Sequence, residues 1–356
     1  MSDVQQGGSG WKTVMAWVGG ASAILGLIGA LTGWFHTFSN AHTQSAEVKA
    51  RMATADGQAK QGEYEAAVKT YGLILKNDPV NQEVLDAQLN ATMEWVENFH
   101  VLVPEGQSAT STAGPQIDEI MPILDAGLAR SKGSRAADVE AHLGWAHWLN
   151  WHIAEREFGP TAEKDLRAAV ELDKNNVYAN AMLGNWMLQN NQNFQEAIGH
   201  LNTAVATGKA RPLVREMQIG GLLHNPSPGA MGELFKAVDD IRKNNEPLDG
   251  ENKHRIVALC CNASMTGDAK LKESLTAVPR DDAWKTYQWL DDAPVEGSEQ
   301  KSKALTEEFI HARLLEFTGD SAGALAMYRT LQTELKGTNM VIADKVDEVV
   351  KRLSKS

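Results

Sequence analysis

The chain has 356 residues, 43% of them hydrophobic and 22% charged, an ordinary globular balance with room for one or two domains. Its net charge is −12, with Lys and Arg scattered and no basic stripe, which argues against a nucleic-acid partner, whose affinity rests on phosphate neutralisation. The two cysteines, Cys260 and Cys261, are neighbours and supply neither a disulfide framework nor a CxxC zinc pattern. Pro is sparse, aromatics are 6%, and the long stretches are built from Ala, Leu, Glu, Gln and Lys, all good helix formers. Strand-like alternation is hard to find, so the expected class is all-α.

In chain order, residues 1–10 are polar and Gly-rich and read as a disordered N-terminus. From Val14 to Phe35 no side chain is charged. That run of about 22 residues makes a helix of roughly 33 Å, the thickness of a bilayer core. Trp11, Trp17, Trp34 and Phe35 lie towards its ends, where aromatics prefer the interface. Residues 11–38 are therefore read as a transmembrane helix, with 39–46 as a linker. A cleaved signal peptide is the rival, with Ser39-Asn40-Ala41 as its small-x-small site. The long apolar run and the lone Lys12 count against it. A buried core helix is a third reading. Ser22, Gly26 and Ala30 form one small-residue stripe, and Gly29 and Gly33 another, as in helices that approach closely in lipid. Positive charges tie across the span. Those on the N-terminal side lie closer to it, which tips the soluble part outside the cytoplasm.

Beyond the linker the sequence repeats itself. Ile74-Leu75-Lys76-Asn77-Asp78-Pro79-Val80-Asn81 is similar to Ala169-Val170-Glu171-Leu172-Asp173-Lys174-Asn175-Asn176. Both read as helix ends running into an Asn/Asp turn that caps the next helix. Gly62-Glu63-Tyr64-Glu65-Ala66-Ala67-Val68, Asn193-Phe194-Gln195-Glu196-Ala197-Ile198 and Gly319-Asp320-Ser321-Ala322-Gly323-Ala324-Leu325 each read as a tight turn followed by an Ala where two helices touch. On these residues the chain resembles the tetratricopeptide repeat (TPR) family, in a membrane-anchored bacterial form. The family's Leu-Gly pair appears as Leu143-Gly144 and Leu183-Gly184, its second-helix Ala as Ala67, Ala197 and Ala324, and its closing Pro as Pro79 alone.

The resemblance implies an α-solenoid of helical hairpins with a period of about 34 residues. Repeats fall at 48–81, 177–209 and 305–336. The unit at 137–176 carries about six extra residues around Glu155 to Pro160. The unit at 82–134 needs a flexible loop from Pro104 to Pro115. TPR-like repeats thus occupy 47–209, irregular helical repeats 210–300, and a final repeat with its cap helix 301–356. Within the irregular part Leu213–Leu223, Met231–Arg242, Lys253–Met265 and Trp284–Leu290 read as helices, and Val341–Leu353 reads as the solvating cap.

The segment from His142 to Glu157 is the richest in chemistry. His142, His147 and His152 are five apart and rotate around a helix, so they cannot converge on a metal. His152 and Glu155, three apart, would share a face. In the resembled family one face of each first helix lines a concave groove that grips peptides. Carried over, that face includes Trp145, Trp148, Asn185, Gln189, Asp56 and Asn90. The alternative is that the tryptophans pack between helices. No nucleophile elbow, P-loop, HExxH or dinucleotide fingerprint is present, so no enzyme, metal or cofactor is implied. The expected function is a membrane-tethered protein–protein interaction adaptor or assembly factor. The alternative is a structural accessory subunit held in a larger membrane complex by its transmembrane helix. The implied partners are a protein and the lipid bilayer of a bacterial-type inner membrane, with no small-molecule substrate.

Overall fold

The computed structural model describes residues 46–156, 159–208, 212–338 and 340–355. The expected N-terminal segment (1–10), membrane helix (11–38) and its packing residues Ser22, Gly26, Ala30, Gly29 and Gly33 lie outside the described residues. Among the described residues, no helix is long and apolar enough to cross a membrane. They form sixteen α-helices and no strand, so the chain is all-α there.

Helices α1 (Ala46–Lys60) and α2 (Tyr64–Leu75) form the first hairpin. Gly62 gives the turn between them a φ of 79°, which costs glycine nothing. Tyr71 donates to Asp56 at 2.5 Å, and Thr70 donates to Gln58 at 2.9 Å. One partner advances as the other retreats, so the two helices are antiparallel. The Asn/Asp turn then starts α3 (Gln82–Glu97), where the Asn81 side chain accepts from the Val84 N–H.

The sequence predicts a flexible loop from Pro104 to Pro115, but α4 (Ala109–Arg130) already begins at Ala109. The cause is a capping box that the Gly-Ser-Thr composition conceals. The Ser108 hydroxyl accepts from the Ser111 N–H at 3.1 Å, and the Ser111 hydroxyl accepts from the Ser108 N–H at 3.2 Å. Pro115 and Pro122 occupy exposed positions of this helix.

The next two hairpins pair α5 (Ser134–His152) with α6 (Gly159–Leu172) and α7 (Val177–Gln189) with α8 (Phe194–Gly208). Their close approach depends on two glycines. A Cβ on Gly184 would meet Leu201 Cγ at 2.7 Å and the Ala197 carbonyl at 2.9 Å. A Cβ on Gly144 would meet Leu166 Cγ at 2.9 Å and its backbone nitrogen at 3.0 Å. Ala67, Ala197 and Ala324 are all fully buried.

Successive hairpins stack with their first helices parallel. Arg135 of α5 donates to Asn90 of α3, and His142 of α5 contacts Glu97 of α3, each across 45 residues. A constant separation means that the two helices advance together. Asn185 of α7 donates to the Met217 carbonyl of α9 (Pro212–His224), and Leu188 packs where a Gly221 Cβ would stand.

The later part departs from this arrangement. After α9 come α10 (Ala230–Lys243), α11 (Gly250–Thr266), α12 (Asp268–Thr276) and α13 (Arg280–Leu290). The short α12 has no counterpart in the sequence reading. Here α10 packs on α12 and α13. The joints are polar: Asp239 of α10 accepts from Thr286 of α13 at 2.9 Å, and buried Arg215 reaches Glu246 at 2.7 Å and Asp240 at 2.8 Å. Helices α14 (Ser298–Phe317) and α15 (Ser321–Glu334) form the last hairpin, and α16 (Ile342–Leu353) closes it. Ile342, Val346 and Val349 face inward while Lys351 and Arg352 stay outside, the division that an end cap requires.

The glycine contacts make a test. Gly184→Leu should lose about 1–3 kcal/mol through overpacking, read as a lower melting temperature with helical circular dichroism kept in the cold. Gly57→Ala in α1, where nothing lies within 4 Å, should instead gain about 0.5–1 kcal/mol. Equal melting shifts in the two variants would show that neither effect comes from helix contact.

Candidate functional site

The residues carried over as a groove fall into separate groups. On α5, Trp145 stacks on Trp148 with centroids 4.4 Å apart and planes at 22°. Trp148 stacks on His152 at 4.6 Å and 12°. The spacing of three and then four places all three rings on one helix face. The row is mostly covered, however: Trp145 is 5% exposed and Trp148 7%. Only its end is open, at His152 and the adjacent Trp151, which is 40% exposed.

On α7 the two amides are joined. Gln189 donates to the Asn185 side chain at 2.6 Å, and buried Asn185 donates onward to the Met217 carbonyl at 2.7 Å. These groups tie α7 to α9. Asp56 accepts from Tyr71 within the first hairpin, and Asn90 accepts from Arg135 between the second and third.

The three histidines of α5 go to three partners. His142 is fully buried, with Nε2 2.9 Å from Glu97 and Nδ1 2.6 Å from the Asp138 carbonyl, and its ring lies 4.7 Å from Tyr178 of α7. It therefore joins α3, α5 and α7. His147 contacts Asp165 of α6 at 2.7 Å. His152 ends the aromatic row, and burial followed by the charge of His224 holds its pKa below the usual value. The pairing of His152 with Glu155 on one helix face is corrected. Helix α5 stops at His152, and Glu155 lies in the following turn with φ 54°. Among the described residues no group of three His, Cys, Asp or Glu side chains could hold a metal ion.

Sequence reasoning missed the acidic part of this region. Glu94 and Glu97 stand near the end of α3, Glu216 on α9, and Asp249 caps α11. Partial burial and then the fields of Asp249 and Glu97 raise the Glu216 pKa. Burial and then Glu97 raise the Glu94 pKa. Carboxylates from three helices thus share one electrostatic neighbourhood, with Glu97 against the α5 histidine. Their separation in sequence hides this, because only the stacking of parallel first helices brings them together. At the other end of the aromatic row, His224 Nδ1 donates to the Gly220 carbonyl at 2.8 Å, and Arg255 approaches its Nε2 at 3.3 Å.

Burial separates the tryptophans by role. Trp148→Ala should cost about 3–5 kcal/mol, seen as a large drop in melting temperature. Trp151→Ala should stay within about 0.5 kcal/mol of wild type. A Trp148→Ala protein that melts like wild type would mean that the stack is no part of the core. No family model matches the chain, and neither does any curated protein.

Proposed function

We propose that the chain is a membrane-tethered adaptor or assembly factor of tetratricopeptide-repeat type, and that it grips a basic segment of another protein along its first helices. The observation that carries this reading is the register of α3, α5, α7 and α9. Parallel first helices joined by His142–Glu97, His142–Tyr178 and Asn185–Met217 lie side by side, an arrangement of the kind that holds an extended segment across its outer edge. The acids near that surface set the sign of the partner. Burial and then neighbouring carboxylates raise the pKa of Glu94 and of Glu216, and a cationic partner would relieve the charge at both. The open end of the row, Trp151 and His152, supplies an aromatic edge of the type enriched at binding hot spots. The tether is the apolar run from Val14 to Phe35. No part of the reading calls on catalysis.

Two results test it. Glu94→Gln with Glu216→Gln should raise the melting temperature at pH 7. A carboxyl with a raised folded pKa binds more protons folded than unfolded, so stability falls as pH rises through that window and recovers as pH drops towards the unfolded value. The gain should therefore vanish in mild acid. The same variant should lose its partner in pull-downs from native membranes read by mass spectrometry. Full-length protein that carries the stabilised variant and recovers an unchanged set of partners would overturn the assignment of this face.

A further inference from the structure

A second charged feature lies at the corner where α3, α4 and α5 meet, one turn of α3 from Glu94. Arg130 ends α4, Lys132 sits in the connection, and Arg135 is in the first turn of α5. Together with Asp86 and Asn90 of α3 they line an open depression of about 520 Å³. In a chain of net charge −12, three cations against one carboxylate is a marked local excess.

The bonding leaves that excess uncancelled. Arg135 is fixed by a neutral partner, the Asn90 side-chain oxygen. Arg130 donates to the Ala126 carbonyl at 2.9 Å. Asp86 accepts from Gln82 at 2.8 Å. Burial lowers the Arg130 pKa, and Asp86 offsets this only in part. The start of α5 adds to the same sign, while the end of α4 opposes it. At the end of α4 the Ser131 N–H and hydroxyl both donate to the Gly127 carbonyl, at 3.0 and 2.9 Å. The first turn of α5 has no side-chain cap, so its positive end is uncompensated.

We propose that this corner binds a phosphate monoester. Two guanidinium groups from different helices can take separate oxygens of one phosphoryl group, with Lys132 as a mobile point charge beside them. A compact dianion suits the site better than an extended polyanion, because the acidic remainder of the surface and Asp86 would repel a long phosphate chain. The phosphoryl group can come from a soluble ligand or from a lipid headgroup. The site is independent of the acidic face and stands or falls separately from it.

The test uses full-length protein in mild detergent. Inorganic phosphate and pyrophosphate are titrated by calorimetry at low salt. Co-sedimentation with phosphatidylcholine vesicles, with and without phosphatidic acid, probes the lipid source. Binding in the first arm, or dependence on phosphatidic acid in the second, should fall at least about tenfold in Lys132→Gln and in Arg135→Gln, and should weaken with added salt. Arg130→Gln is set aside because it also removes a bond at the end of α4. Lys132 is exposed and its replacement should leave the melting temperature unchanged, so its loss of binding cannot be attributed to misfolding. A wild-type protein that binds none of the probes at about millimolar concentration overturns the proposal. So does a folded Lys132→Gln, Arg135→Gln double variant that binds as wild type does.

Discussion

Two helices can lie only as close as the smallest side chains between them allow, and this limit governs the hairpins. At Gly184 the facing backbone, the Ala197 carbonyl, stands where a methyl group would otherwise be. At Gly144 the intruder is Leu166 and its backbone. Interiors are packed at crystal-like density, so a hairpin spread by one methyl group would also shift the surface it offers to the next hairpin. The in-register bonds between α3 and α5, and those between α7 and α9, therefore depend on spacing set within each hairpin. Regular stacking follows only if every hairpin keeps that spacing.

Where the small-residue contacts end, charged groups take over. Arg313 is fully buried, yet it reaches Asp268 of α12 at 2.9 Å and Glu316 at 3.2 Å, and Tyr328 donates to the same Glu316 at 3.0 Å. Arg215 does the same at the α9–α10 corner. Buried ion pairs of this kind are poor sources of net stability but strongly resist being broken, since one partner left alone carries its whole desolvation penalty. They fix geometry in a region whose helices do not follow the simple hairpin pattern.

That contrast explains what the sequence discloses. Hairpins whose closeness depends on local residues are readable: Gly184 and Ala197 are thirteen residues apart, and each belongs to a recognisable turn or helix. The helices from α9 to α11 and α13 are legible through their apolar periodicity. The start of α4 is not, because a Ser-to-Ser capping box looks like loop composition, and neither is α12, whose nine residues offer little periodicity. The site is harder still. Trp145 and Trp148 share a face as their spacing predicts, but their burial is decided by what stacks above them. The acidic group has no local signature, since its members come from α3, α9 and the cap of α11. Asn90 illustrates the limit: it belongs to the carried-over groove set, yet its bond to Arg135 places it at the basic corner.

The bonding distances in sequence also bear on how the protein is made. Side-chain hydrogen bonds between hairpins span tens of residues, as from Gln116 to Glu65, 51 residues away. A hairpin can therefore complete its polar contacts soon after the next one leaves the ribosome, and folding can keep pace with synthesis. The acidic neighbourhood is different. Glu97 and Glu216 meet electrostatically only when the intervening hairpins are stacked and α9 is in place. A nascent chain thus holds folded, stable hairpins for some time before it holds that face, so any recognition that needs these carboxylates together must wait until the array has been built past its midpoint.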